Sequence, residues 1–299
     1  MPVLRQPFFG TLGQPGEAEA TCVLGIHGAS ENAVARLVVS RRDHTQNVLY
    51  RLAEGSRLYE PHTSMLALGA LQPGDIALDI GAHVGYFTTL FRLAVGAGGR
   101  VFAFEPLADT YRRLLHNVLI NGFANVLPLP LAVADRSGTA YFHVNEENEG
   151  ESSLFAESGP AVGPVQVTSL DDLFREDLPL RPRLLKIDVE GAEMSVLNGA
   201  AAWFERQGPD MVIIEINRGA LERSGTSAWD IRRFFERRGY RGAAINGAMP
   251  GQGVGDAPFR YYDRDFPAVP EDYGYVFNEM YVRAASGLYP PSSPAATVP

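Results

Sequence analysis

From residue 71 onward the chain repeats one pattern: a short β-rich apolar run, a polar or glycine-bearing turn, then a helix-length amphipathic segment. Such alternation leaves few folds open, because parallel neighbours need long crossovers and the crossover helices cover the sheet. The runs are "DIALDI" (75–80), "RVFAFE" (100–105), "NVLPLPLAV" (125–133), "RLLKIDV" (183–189), "MVIIEIN" (211–217), "YRGAAIN" (240–246) and "YVFNEMYVRA" (275–284). The third is weakened by two prolines, which confine it to an edge. Between the runs, helices are expected over Tyr86–Val95, from Pro106 to a stop at Gly122, over "AEMSVLNGAAAWF" (192–204), and over "SAWDIRRFFERRG" with Ser227 as N-cap. "GTAYFHV" (138–144) and "VQVTSL" (165–170) read as two extra strands, and "DLFRED" (172–177) as a short helix.

Residues 1–70 depart from the alternation and are expected to form an N-terminal extension packed on the core, with a helix near "HTSMLALGAL" (62–71). The core domain is expected over 71–285. The Pro/Ser/Ala-rich stretch 286–299 reads as a disordered tail. Gly247–Tyr273 is long for a connection and is a candidate lid or substrate loop.

With 45% hydrophobic residues the chain can bury a core, and a net charge of −9 without a basic block argues against nucleic acid. No run approaches the ~18 apolar residues of a membrane span. The start "MPVLRQPFFGTLGQPG" lacks a signal-peptide pattern, so the expected compartment is the cytoplasm. Cys22 is the sole cysteine, which excludes an internal disulfide and a multi-thiolate zinc site.

The strongest local signal is "LDIGAHVGYF" (78–87), a strand ending in Asp79 with Gly81 and Gly85 in the turn into a helix. Glycines let backbone amides approach a ligand there. Glu105 ends the next strand, where a carboxylate can accept both hydroxyls of a ribose. A dinucleotide site needs G-x-G-x-x-G, but His83 and Tyr86 occupy the second and third glycine positions. Asp79 would also repel a diphosphate, whereas it suits a sulfonium or an α-amino group. An NAD-dependent oxidoreductase is therefore the weaker alternative, and a non-catalytic nucleotide-binding module a third.

Together "DIGAHVGYF", "VFAFEP", "LLHNVLING", "AVAD", "TSLDDL", "LLKIDVEGAE" and "VIIEI" resemble, in this order, the FkbM-type S-adenosylmethionine-dependent methyltransferases over residues 60–285. The resemblance implies an α/β fold, the Rossmann-like class I methyltransferase sandwich: a seven-stranded, mostly parallel sheet with its last strand antiparallel. It implies S-adenosyl-L-methionine as cofactor and O-methylation of a hydroxyl on a small molecule, sugar or glycan. Carried over, Asp79, Gly81 and Gly85 line the methionine portion, Glu105 holds the ribose, and Ala132 and Val133 present backbone to the adenine. Ala82, His83, Tyr86 and Pro106 complete these turns and join the cofactor set, with His83 standing where the family usually has Asn. Glu60 matches an acidic family position ahead of the first strand.

The fourth run carries Lys186, the only lysine in the chain, two residues before Asp188. Asp188 is expected at the carboxyl end of its strand, near the transferring methyl, as general base for a hydroxyl. Lys186, Glu190 and Glu215 complete the catalytic candidates: Lys186 either steadies an ionised carboxylate or, if burial lowers its pKa, acts as a base itself. A second arrangement groups Asp188, Glu215 and Asn217, resembling the oxygen set by which catechol-type O-methyltransferases hold a divalent ion such as Mg2+.

Overall fold

The computed structural model describes residues 5–27, 33–143, 161–175, 180–245, 259–261 and 276–288. The expected tail beyond residue 288, the Gly/Glu-rich segment 144–160 and most of the 247–273 loop lie outside the described residues.

Three antiparallel strands open the fold: β1 (Gln6–Thr11), β2 (Glu19–His27) and β3 (Ala33–Ser40). Helices α1 (His44–Glu54) and α2 (Pro61–Ala70) follow. The alternating region then gives β4 (Ile76–Ile80), α3 (Tyr86–Val95), β5 (Arg100–Phe104), α4 (Ala108–Ile120), β6 (Val126–Leu129), β7 (Leu131–Val133), β8 (Gly138–His143) and β9 (Ala161–Thr168). It continues as α5 (Leu170–Leu173), β10 (Leu184–Ile187), α6 (Glu193–Asn198), α7 (Ala201–Arg206), β11 (Met211–Asn217), α8 (Arg218–Arg223), α9 (Ala228–Glu236), β12 (Tyr240–Ile245), β13 (Phe259–Tyr261) and β14 (Val276–Arg283).

The main sheet has the order β13-β12-β14-β11-β10-β4-β5-β6. Strands β11, β10, β4, β5 and β6 are parallel, β14 is antiparallel to β11, and β12 is antiparallel to β14. This is the expected seven-stranded sheet with the last strand reversed, extended by the three-residue β13 at one edge. Chain order runs outward from β4 in one direction and from β10 in the other, so the switch point lies between these two strands. Ligands in open α/β sheets bind at the carboxyl ends beside such a point.

Two local expectations are corrected, and a third, the N-cap at Ser227, holds with a different hydrogen bond. The 125–133 run is two strands: Pro128 is tolerated on the sheet edge in β6, and after Pro130 the chain leaves as β7, pairing with β9 in a separate sheet of order β7-β9-β8. The 192–204 helix is broken into α6 and α7 at Gly199, where a Cβ would lie 2.0 Å from the carbonyl oxygen of Ala134. Asp171 uses the break, accepting from the amides of Ala202 (3.1 Å) and Trp203 (2.6 Å) at the new helix start. Ser227 stands at the N-cap of α9, but its hydroxyl donates to Asp230 Oδ2 at 2.6 Å rather than accepting a helix amide.

Alternation along the strands divides the core between the two faces of the sheet. Ala77, Leu184, Met211 and Ile213 join the N-terminal strands, α3 and α4 on one face, whereas Leu78, Ile80, Leu185, Ile187, Val212, Ile214 and Ile216 meet α6, α7 and α9 on the other. Period two therefore puts Asp79, Lys186 and Glu215 on the first face, under the N-terminal segment.

That segment is fastened to α4 by an asparagine ladder along the free edge of β3. Asn117 Oδ1 accepts from Val38 N (2.8 Å) and its Nδ2 donates to Val38 O (3.1 Å); one helical turn on, Asn121 repeats both bonds with Arg36. Two side chains thus supply what a neighbouring strand would.

Candidate functional site

The β4–α3 turn is built by close backbone approach. Gly81 has φ +81°, and a Cβ on it would fall 1.7 Å from Asp188 O, so only glycine admits the β10 end here. The amides of Gly81 and Ala82 donate to Phe104 O at 3.0 and 2.9 Å, and Asp188 N donates to Ile80 O at 2.9 Å. Gly85, φ +93°, is the N-cap of α3 and backs onto Leu114. The ends of β4, β5 and β10 are thereby held together around the helix N-terminus.

Asp79 is 1% exposed, and Thr88 Oγ1 donates to its Oδ2 at 2.5 Å. Glu105 is also buried, with the amides of His83 (3.0 Å) and Leu107 (2.9 Å) donating to its two carboxylate oxygens. These two bonds fix the carboxylate beside the β4–α3 turn. Pro106 follows, half-buried, between Glu105 and the start of α4. Ala132 and Val133 are buried on β7, Ala132 packing with Leu107 and Val165. His83 is half-buried at φ +50°, its Nε2 has no partner among the described residues, and burial lowers its pKa.

Tyr86 does not send its side chain toward this turn. Its ring meets Phe9, Tyr59 and Phe87 edge-on, and its hydroxyl lies 3.3 Å from Ser64 Oγ. The part of Tyr86 that faces the turn is its backbone amide at the helix start.

Beside the turn lies a cluster of charge. Lys186, 2% exposed, places Nζ 2.6 Å from Asp188 Oδ2 and 4.5 Å from the centroid of the Phe87 ring. Burial presses its pKa down, but Asp188, Glu60 and Asp79 more than offset this and raise it. The ion pair with Asp188 favours the steadying role of Lys186 over the alternative of a base.

Around it, carboxylates outnumber the cation. Glu60, at φ +42° and 7% exposed, accepts from Asn278 Nδ2 at 2.7 Å, and Tyr59 and Thr63 also hydrogen-bond to it. Burial raises the pKa of Glu60 and of Asp79, opposed by Lys186. Glu215 is raised well above the usual carboxylate range by burial and then by Asp188, Glu190 and Glu60. Tyr59 is pushed up by the same combination, burial first and then Glu60, Asp188 and Glu215.

Glu60, Asp188 and Glu215 each bring one carboxylate oxygen to within 4.8 Å of the others. Asn217 is not part of this group: its Nδ2 donates to Glu190 Oε2 at 3.0 Å and its Oδ1 caps α8 at Ala220 N. Of the expected oxygen set of Asp188, Glu215 and Asn217, the two carboxylates come together with Glu60, while the Asn217 side chain is engaged by Glu190 and α8. Glu190 lies past the strand end, at φ +49° in the turn before Gly191.

Four contributors carry no signal that sequence reading could use: Tyr59, Thr63 and Asn278 around Glu60, and Glu193 behind the turn. Asn278 reaches Glu60 across 218 residues of chain. Glu193 is fully buried; its Oε1 accepts from the amides of Gly191 (3.1 Å) and Val189 (3.4 Å), and burial brings its pKa up to about 7.

The model of the methyltransferase FkbM domain matches residues 79–241, more than half of the chain and the whole span from Asp79 past Glu215. The chain belongs to the FkbM methyltransferase family. A relative named hexuronic acid methyltransferase AglP, from Haloferax volcanii, is 28% identical over 154 residues, covering 52% of this chain and 61% of that protein. The chain thus matches somewhat less than two thirds of that relative's length. Among solved structures, the methyltransferase FkbM from Methylobacillus flagellatus KT aligns with TM-score 0.41 and 14% identity, over 79% of this chain and 65% of the other. A precorrin-6y C5,15-methyltransferase from Geobacter metallireducens GS-15 aligns with TM-score 0.39 and 16% identity, over 75% and 88%. Among the described residues no helix is long and apolar enough to cross a membrane.

Proposed function

We propose that this protein methylates a hydroxyl of a sugar, using S-adenosyl-L-methionine. The observation that carries the reading is the crevice between β4 and β10: a buried Asp79, a glycine-built turn at a helix start, and a buried Glu105 fixed by two amides, all beside Asp188. The acceptor class is supported by the relative whose name specifies a hexuronic acid.

The residues fit such a cofactor. Asp79 offers a carboxylate to an α-amino group, the start of α3 favours a carboxylate, and the carboxylate of Glu105 suits ribose hydroxyls. Ala132 and Val133 offer backbone to a base. When bound, the cofactor supplies a methyl group on a sulfonium sulfur, open to in-line displacement. The chain's work is then to hold the acceptor hydroxyl in line and to take its proton. Asp188 is the proton acceptor in this reading, anchored at Oδ2 by Lys186, with Glu215 and Glu190 accepting hydrogen bonds from neighbouring sugar hydroxyls.

The meeting of Glu60, Asp188 and Glu215 supports a second reading, a divalent ion held by those three carboxylates that lowers the acceptor's pKa. Lys186 already compensates part of the same charge, which favours the metal-free form. Incubating the full chain with cofactor and a panel of sugar glycosides, with and without Mg2+ and with chelator, tests both. A mass gain of ~14 Da per methyl on at least one glycoside is expected, retained under chelation. Transfer to none of the sugars would sink the acceptor assignment, and loss of transfer with chelator would favour the second reading.

A further inference from the structure

The first turn of α8, residues 218–220, is packed against the turn that carries Asp188 and Glu190. Gly191 sits so close that a Cβ on it would lie 2.7 Å from Ala220 O, and Asn217 both caps α8 and donates to Glu190. The cation on this turn is Arg218. Its guanidinium lies over the Phe277 ring at 5.7 Å, and its Nη2 is buried with no hydrogen-bond partner among the described residues. No carboxylate of the described residues pairs with it, although the adjoining rim is rich in them. Asp188 is taken by Lys186 and Glu190 by Asn217.

A buried guanidinium N–H without an acceptor is costly, and Arg218 directly follows the carboxyl end of β11, on the rim where ligands of open α/β sheets bind. Its planar fork matches a carboxylate in a way that the acidic cluster cannot. We infer that Arg218 receives the carboxylate of an acidic acceptor sugar of the uronate class, orienting a hydroxyl of that sugar toward Asp188. This inference rests on the sugar-methylation reading and adds which sugars the site selects. The ring of Phe277 beneath the guanidinium braces it, so the fork need not be ordered at the moment of binding.

The test uses two probes that differ in one group, p-nitrophenyl β-D-glucuronide and p-nitrophenyl β-D-glucoside, titrated into the full chain loaded with S-adenosylhomocysteine. The wild type is expected to bind the glucuronide at least about ten-fold tighter than the glucoside, a preference that Arg218→Ala abolishes and Arg218→Lys keeps in part. Affinity for S-adenosylhomocysteine stays within about two-fold in both variants, which separates a lost acceptor contact from a damaged fold. Where the glycosides are methylated, the loss falls on KM for the glucuronide. Equal binding of the two probes by the wild type, binding of neither, or an unchanged preference in Arg218→Ala overturns the inference. If the wild type fails to bind S-adenosylhomocysteine at all, the functional reading itself fails.

Discussion

Lys186 and Asp188 meet at 2.6 Å across the carboxyl end of β10, with Phe87 beneath the ammonium and the carboxylates of Asp79 and Glu60 close enough to raise its pKa. One compact cation therefore supports at least three acids. An arginine would bring a wider, planar head into a space closed by an aromatic ring. Lys186→Met is expected to destabilise the fold by about 3 kcal/mol, because it leaves buried carboxylates unpaired, and to abolish transfer. Lys186→Arg should restore little of either. Chemical denaturation and single-turnover rates check this, and a Lys186→Met variant of wild-type stability would contradict it.

Gly81 is the tightest contact of the site. Gly81→Ala adds a methyl 1.7 Å from Asp188 O at a φ of +81°, so the β4 and β10 ends must separate. A loss of roughly 2–4 kcal/mol is expected, with cofactor affinity falling alongside. Thermal melts with and without cofactor read both, and a variant that still gains the wild-type thermal shift would show that the turn is not the cofactor cradle.

Asn117 ties the N-terminal sheet to the site, since its Nδ2 donates to Val84 O (2.9 Å) in the β4–α3 turn as well as to Val38 O. Asn117→Ala orphans buried partners on both sides and is expected to cost about 2–3 kcal/mol. Hydrogen exchange should show the loss first at Val38. Unchanged protection there would mean that the ladder adds nothing to the edge.

Glu193 gives a pH signature. Its folded-state pKa, raised to about 7 by burial, lies above the ordinary 4.5, so the folded state binds the proton more tightly than the unfolded chain. The stability it contributes is fully present below about pH 4.5 and is lost as pH rises through about 7. Between pH 5 and pH 8 the denaturation midpoint of the wild type should therefore fall further than that of Glu193→Gln. Parallel profiles would contradict the assignment.

Much of the site was legible because its parts lie at strand ends, where period-two alternation and glycine turns leave a trace. Asp79, Glu105 and Lys186 could be placed on parallel strands or at their ends from the sequence pattern, and the structure sets those strands side by side. The rest is tertiary. Asn278 is one polar residue in an apolar strand, and nothing local says that it meets Glu60. Tyr59 precedes a helix without a capping pattern, and its ring contacts with Tyr86 and Phe87 exist only once α2 packs on α3. Pro130 and Gly199 mark breaks whose geometry depends on a second sheet and on Ala134, which no window of sequence contains.

In the proposed function the β4–β10 crevice holds S-adenosylmethionine through Asp79. Calorimetric titration of the full chain with that cofactor, wild type against Asp79→Asn, tests it most directly. The wild type should bind with a Kd in the micromolar range, and loss of the carboxylate's charge should weaken binding at least about ten-fold while the fold persists. Absence of binding heat at millimolar cofactor, or equal affinity in the two proteins, would contradict the claim.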